Sequence, residues 1–412
     1  MPSYQPRIAI IGAGPAGLTV AVLLHRRGIP FTVFELRSRP TTDELAKPSG
    51  MLDLHEESGL AAIRACGLFD EFGLLVQECA EATIIADKDG NTLHSDDGSN
   101  EYRPEISRHA LTTLMLGQLP PDTIKWNHKL RSATPTSDTA GPTQIMLDFG
   151  VNGKDTFDLV IGADGAWSKV RDLLTEIKPH YSGVQAITLT INNIVVRYPQ
   201  LADLVGQGSF FALGAGNGVI SHRSAQNSAR MYLAIKTLDE NFPATSGIAG
   251  KTAAEVKEIL LADDKLFATW GERTKDLLAT ACDVETTDNP GSNVNIKPLY
   301  MLPIGHSWEH RPGATVVGDA AHLMAPWAGE GVNLAMWDSL DLSQVIAEAC
   351  SGAVDAAGFQ SALKPSMRVF EAAMAQRAKV RAEETWQNCG VMFSDDGANA
   401  MAAMMKSFGP PE

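Results

Sequence analysis

The stretch IAIIGAGPAG, residues 8–17, constrains this chain more than any other. An apolar run ends in Gly12-x-Gly14-x-x-Gly17 and passes directly into a helical pattern reaching about Arg27. Gly28-Ile29-Pro30 then turns the chain into a second strand, Phe31 to Glu35. Connections this short predict a βαβ unit with parallel strands. Each glycine has its own reason: Gly12 permits the tight turn, Gly14 lets bare backbone approach a pyrophosphate, and Gly17 lets helix and strand pack closely. The helix N-terminus offers unpaired N–H groups to the anion. Glu35 closes the second strand, where a carboxylate can accept hydrogen bonds from an adenosine ribose. The unit predicts dinucleotide binding, and these opening residues do not decide between NAD and FAD.

Two later signatures do. In DLVIGADGAWSKVR (158–171) a strand ends at Asp164-Gly165 and a helix restarts after Ser168. Asp164 would cap or brace that turn, and Arg171 could pair with a carboxylate or reach a phosphate. Taken alone, the segment also reads as an ordinary strand, turn and capped helix. In GDAAHLMAPWAGEGVN (318–333) Gly318-Asp319 ends another strand, placing a carboxylate where it can accept hydrogen bonds from a polyol. Gly329, Gly331 and Asn333 come just before an amphipathic helix and let backbone and helix terminus approach a flat electron-accepting ring. NAD has no polyol and ring to be held apart from its pyrophosphate; FAD has. A second binding turn, folded back beside the first, predicts FAD.

The rest of the chain fits around these turns. Residues 56 to 75 read as helical, Thr83–Ala86 and Thr92–His94 flank a DKDG hairpin signal, and 132–143 is a solvated turn region. Val184–Val196, Phe210–Leu213, Val219–His222, Met231–Lys236 and Val294–Tyr300 read as strands, interrupted by helical segments near 253–262 and 264–281. The α/β texture returns at Thr315, and 358–406 is helical. The expected fold is α/β: a Rossmann-like FAD-binding domain (1–80, 104–175 and 302–355), an inserted mixed β-sheet substrate domain (81–103 and 176–301), and a long C-terminal helical segment (356–412) bridging them. The net charge of −15 argues against nucleic acid. Five scattered cysteines, without Cys-x-x-Cys pairs, argue against a metal site or disulfide framework and fit a reducing compartment. The apolar stretch 8–24 is broken by its glycines and is too short to span a membrane, so a cytoplasmic protein with no membrane insertion is expected.

In their order and spacing the three signatures resemble those of the group A flavoprotein monooxygenases, the para-hydroxybenzoate hydroxylase-like family. SGMLDLHEESGLAAIRACGL (49–68), PEISRHAL (104–111) and GDAAHLMAPWAGEGVN resemble more closely the tetracycline-inactivating flavin monooxygenases. The resemblance implies that Gly12, Gly14, Ala16, Gly17, Glu35, Leu36 and Arg37 hold the ADP half of FAD. It gives Arg108 and Asp164-Gly165 to the same cofactor, and Gly318-Asp319 to its ribityl chain. Pro326, Gly329, Gly331, Val332 and Asn333 would flank the ring. Ser49, Gly50 and Asp53 belong to the segment near the flavin, with Lys47 the nearest basic residue. His55 sits in that segment too and is equally well read as a structural histidine.

The activity implied is an FAD-dependent, NAD(P)H-consuming monooxygenase that hydroxylates an aromatic or polycyclic small molecule through a flavin hydroperoxide, with NADPH as transient co-substrate, O2 as oxidant and no metal. Phe210, Phe211, Ala212, Arg230, Met231, Met324 and Gly329 are the candidate substrate contacts. A monomer is expected. Phe210-Phe211-Ala212 and Arg230-Met231 stand where the tetracycline enzymes carry a Gln and a His, which weighs against tetracycline itself. The alternatives are a flavoprotein that sequesters a polycyclic ligand without turnover, and a halogenase or reductase on the same fold. None of the seven Trp residues makes the Trp-x-Trp-x-Ile-Pro halogenase signature.

Overall fold

The computed structural model describes residues 4–76, 82–98, 103–136 and 143–407. Cys79, residues 137–142 of the expected 132–143 turn region and the last five residues lie outside the described residues, and the first part of that region, Ser132–Pro135, is a strand rather than a turn. Strand β1 (Ile8–Ile11) is buried along its whole length and feeds helix Pro15–Arg26, whose proline stands in the first turn where its missing N–H costs nothing. The next strand, β2 (Thr32–Phe34), returns parallel to β1. β3 (Met51–Asp53) precedes helices Gly59–Ala65 and Phe69–Leu75. The single helical run expected over 56–75 is broken at Gly67, whose φ of +65° ends the first helix.

The hairpin β4 (Thr83–Asp87) and β5 (Thr92–Asp96) leaves the nucleotide-binding body, and β6 (Glu105–Ser107) returns to pair antiparallel with β3. Helix Arg108–Leu116, β7 (Ile124–Lys125), a three-stranded meander β8 (Ser132–Pro135), β9 (Ile145–Asp148), β10 (Lys154–Phe157), and then β11 (Leu159–Gly162) follow. The inserted sheet continues with β12 (His180–Ile191), β13 (Ser209–Gly214), β14 (Asn217–Ser224), β15 (Ser228–Lys236) and β16 (Asn295–Met301). β17 (Ala314–Val316) re-enters the first sheet. The first sheet therefore has the parallel order β17-β11-β1-β2-β7, and the second the mixed order β16-β12-β15-β14-β13-β4-β5. β12 stops at Ile191 rather than Val196, because Asn193 turns left-handed (φ +51°) and a short helix Ile194–Arg197 begins. The second helix on this sheet is Glu272–Asp288, displaced towards the C-terminus from its expected place.

Strand pleat divides the second sheet into two faces. Ile187, Leu189, Phe210, Ala212, Met231 and Leu233 pack with Val256, Leu260, Leu277 and Leu278 of helices Ala253–Ala262 and Glu272–Asp288. The opposite face carries Ile85, Val184, Leu213, Ile220 and Ala234 against Cys389, Met392, Phe393 and Met401 from the C-terminal helices. Those are Ala356–Met392 and Gly397–Ser407, a break in the expected continuous run. The longer helix also places Phe359, Leu363, Met367, Phe370 and Met374 in the core of the nucleotide-binding body. No helix among the described residues is long and apolar enough to cross a membrane.

Candidate active site

The three signatures converge. Gly12 has φ +106°, and a Cβ there would stand 2.2 Å from the carbonyl oxygen of Ala163, in the turn that carries Asp164. A Cβ on Gly17 would lie 2.0 Å from the Gly12 oxygen, so helix and strand touch through bare backbone. Ala16 meets the third turn: its Cβ is 3.3 Å from where a Gly318 Cβ would be, and its carbonyl accepts the Ser339 hydroxyl at 3.0 Å. Gly14 differs, with no atom within 4 Å of the position its Cβ would take, at the N-terminus of helix Pro15–Arg26. Open backbone faces the place where a pyrophosphate would sit. Glu35 accepts from the Ala13 N–H at 2.8 Å and the Arg37 N–H at 2.9 Å, tying the glycine turn to the end of β2. Leu36 and Arg37 are exposed beside it.

Asp164 braces its own turn by accepting from the Lys169 N–H at 2.8 Å. Its other oxygen, Oδ1, is buried with no partner among the described residues, and burial raises the carboxyl pKa against the opposing hydrogen bonds. The adjoining Gly165 has open space at its Cβ position. Arg171 forms no ion pair with a carboxylate among the described residues. Its guanidinium is 1 % exposed and donates to the carbonyls of Ala320 (3.0 Å) and Ala166 (2.7 Å), clamping the second signature turn to the third.

In the third turn, Gly318 takes φ +60° and donates its N–H to the buried Asp338 at 3.2 Å. Asp319 follows, exposed to solvent yet closely surrounded by protein. That crowding raises its pKa, and His322 and Arg108 oppose the rise, which places the Arg108 side chain within electrostatic reach. Asp319→Ala should therefore weaken FAD retention by roughly 10- to 100-fold, the worth of a charge-assisted hydrogen bond. Because the raised pKa means that the fold disfavours this carboxylate, the apoprotein should not melt earlier; flavin absorbance and a melting curve measure both effects.

The residues expected around the ring assemble from three segments. The carboxamide of the fully buried Asn333 accepts from the His55 N–H at 2.9 Å and donates to the Asp53 carbonyl at 3.0 Å, stitching β3 to helix Gly331–Ser351. His55 stands 3.1 Å from Asp53 Oδ2 and 3.6 Å from Glu330, which pairs with Arg381 at 3.1 Å. Burial works to lower the His55 pKa, but Asp53 and Glu330 outweigh it and hold the ring above the usual histidine range. Gly329 (φ +69°) would place a Cβ 3.2 Å from the Asp53 carboxylate. Gly331 has open space beside it, Val332 is half-buried and Pro326 is exposed. Ser49 accepts from the His109 N–H at 3.0 Å, and a Gly50 Cβ would sit 3.3 Å from the Tyr232 hydroxyl. Lys47 stays on the surface, on the rim of an open cavity of about 660 Å³ shared with Asn192, Asn193 and Gln226.

The substrate candidates separate by pleat. Phe210, Ala212 and Met231 are each 0 % exposed and point into the helix-covered face, so they line no opening. Phe211 and Arg230 lie on the other face and are half-buried, as is Met324 on the loop before helix Gly331–Ser351. Sequence reasoning missed Ser209, His222 and Tyr232, which share that face and are also half-buried. Tyr232 and Phe211 pack in the same cluster as Trp327 of the ring-flanking loop.

The residues fit FAD on three observations: open backbone at Gly14 and Gly331, an unpartnered buried oxygen on Asp164, and an exposed carboxylate on Asp319. The family described as FAD binding domain matches residues 6–265 and 310–377. The chain belongs to the FAD-dependent monooxygenases. One relative of this monooxygenase is Monooxygenase penA of Penicillium thymicola, 36% identical over 97% of this chain and 98% of that one. Among solved structures, Klebsiella pneumoniae HpxO complexed with FAD and uric acid superposes with a TM-score of 0.73 at 17% identity, covering 98% of this chain and 93% of that one. The tetracycline destructase Tet(51) gives 0.63 at 17%, covering 99% and 100%. At these identities both are likenesses of fold.

Proposed function

We propose that this monooxygenase uses NAD(P)H and dioxygen to hydroxylate an aromatic or polycyclic small molecule, working as a monomer in the cytoplasm. One observation carries the substrate class: the half-buried side chains on the face of β13–β15 away from the covering helices include two aromatic rings, Phe211 and Tyr232, beside the polar Ser209, His222 and Arg230. Flat apolar walls with a few polar groups suit a ring-bearing ligand. FAD, when bound, supplies hydride acceptance and the activation of dioxygen for transfer of one oxygen atom.

The chain's own residues do the holding and shielding. The Gly12–Gly14 turn and its helix terminus would hold the pyrophosphate, Glu35 the ribose and Asp319 the ribityl hydroxyls. The loop 326–331 would flank the ring, and the face of β13–β15 would keep water from the reacting atoms. The sequence carries one complete dinucleotide fingerprint, so the nicotinamide donor docks only transiently. A tetracycline-like ring system is one member of the class, with Phe211 and Arg230 as the contacts that would have to accept it.

The test is substrate-stimulated NADPH oxidation yielding a product heavier by one oxygen. NADPH consumption that gives only hydrogen peroxide with every aromatic tried sinks the hydroxylase reading. Tight ligand binding with no NADPH consumption would point to sequestration instead.

A further inference from the structure

His55 sits between two carboxylates behind the loop 326–331. Its Nε2 lies 3.1 Å from Asp53 Oδ2 and its Nδ1 3.6 Å from Glu330 Oε2. The imidazole and Glu330 are each 7 % exposed, whereas the Asp53 carboxylate is 33 % exposed, so the group opens outwards through Asp53. Both Asp53 oxygens stand within 3.3 Å of where a Gly329 Cβ would be, which sets the carboxylate against the loop. Glu330 is held from behind: Arg381 Nε lies 3.1 Å from its Oε1, and Arg381 also meets Glu384 at 2.9 Å and Glu57 at 4.0 Å. The stitch from β3 to Asn333 runs through the backbone N–H of His55 and the backbone carbonyl of Asp53, not through the imidazole. The ring is thus left to its two acidic neighbours, an arrangement that holds a proton.

We propose that His55 is a proton store for the flavin site, loaded when negative charge arrives on the ring and emptied through Asp53 when that charge is spent. The inference rests on the placement of loop 326–331 beside the ring proposed above. In loading, a proton from water reaches the Asp53 carboxylate and passes to His55 Nε2, where an N–H bond forms. In emptying, that N–H bond breaks, an O–H bond forms on Asp53, and the carboxyl then gives the proton to the reaction. The reaction needs it: hydroxylation consumes one NAD(P)H, one O2 and one proton, and releases one water with the hydroxylated product. Asp53 makes the transfer; His55 acts through it and Glu330 acts on His55, so both are positioning residues. The charges facing His55 are Asp53 on β3, Glu330 ahead of helix Gly331–Ser351, Arg381 on helix Ala356–Met392, and Arg103 ahead of β6. Glu105, opposite Asp53 on β6, is engaged by His222 Nε2 at 2.8 Å. Burial acts to lower the His55 pKa and Arg103 opposes the proton too, yet the hydrogen bond and charge of Asp53, with Glu330, raise it overall. One further negative charge within about 10 Å, at an effective dielectric of ~20, tightens proton binding by about tenfold.

The test is the midpoint potential of the flavin-loaded protein against pH, from about pH 6 to 9, without substrate. Each proton taken up with a two-electron reduction steepens the fall in potential by about 30 mV per pH unit. The flavin's own ionisation is common to all variants, so the comparison is between proteins. Over a window above pH ~6.5 the wild-type curve should fall more steeply than that of His55→Gln, and the gap between them should change by about 30 mV, a tenfold gain in proton affinity on reduction. Glu330→Gln removes one of the charges that favour the imidazolium and should slide this window to lower pH, which a merely structural histidine would not do. Should His55→Gln fail to take up flavin, that slide decides alone. Parallel wild-type and His55→Gln curves overturn the proposal, as does a window that stays in place in Glu330→Gln. Quenching of Trp327 fluorescence on flavin uptake, read against Trp327→Phe, reports separately whether the loop lies beside the ring. Protein that shows the His55 step but never oxygenates a substrate strikes the hydroxylase reading and leaves the store standing.

Discussion

Gly12→Ala and Gly17→Ala are expected to lose the fold, while Gly14→Ala keeps the fold and loses the flavin. At Gly12 a methyl would stand 2.2 Å from a backbone oxygen, in a φ region closed to L side chains; at Gly17 it would stand 2.0 Å from another. Neither obstacle can rotate away. Overpacking and backbone strain together cost about 3 kcal/mol or more at each site. At Gly14 the methyl meets nothing within 4 Å, so chemical melting should barely change. It would occupy the approach of the pyrophosphate, and flavin affinity should fall by at least ~10-fold. Urea titration beside the visible spectrum separates the outcomes, and a yellow Gly14→Ala protein with unchanged affinity would refute the assignment of that turn.

Asp338→Ala should cost about 3–5 kcal/mol, the penalty for leaving a buried charge without its partner. One carboxylate, 0 % exposed, receives His322 at 2.5 Å, Arg377 at 3.3 Å and the Gly318 N–H at 3.2 Å. Its loss frees the turn that presents Asp319, so flavin content should drop with stability. Burial by itself would lower the His322 pKa, and the Asp338 charge and hydrogen bond raise it overall. The folded pKa therefore lies above the unfolded value of about 6.5, and the pair's contribution is complete below that pH and fades as pH rises through the folded pKa. Wild-type urea midpoints should decline over that window. An Asp338→Asn protein should show a flatter profile there.

The nucleotide-binding half was legible because its constraints are local. Three glycines, a strand before them and Glu35 after the next strand lie within one βαβ unit, and each has a separable backbone reason. The half-buried face of the second sheet was legible only in part. Phe210, Phe211 and Ala212 are consecutive on one strand, as are Arg230 and Met231, and a pleated strand cannot send neighbours to the same face. Alternation alone would have removed Phe210 and Ala212 once Phe211 was chosen, or Met231 once Arg230 was. Glu105, His222 and Ser209 could not have been joined that way. They come from β6, β14 and β13, and only the folded register brings them within hydrogen-bond distance. The partners of Arg171 were out of reach for a related reason: its carbonyl acceptors at Ala166 and Ala320 lie on two turns that only tertiary structure brings side by side.

The helix Ala356–Met392 begins in one core and ends in the other, 37 residues later, a rod about 55 Å long. Such a strut resists jackknifing of the two halves, since any swing large enough to uncover the cleft must bend it or strip Met392 and Phe393 from the sheet. Entry and exit are then left to small pieces near the rim, so mutations that change traffic through the enzyme should map to short loops and side chains rather than to a domain hinge.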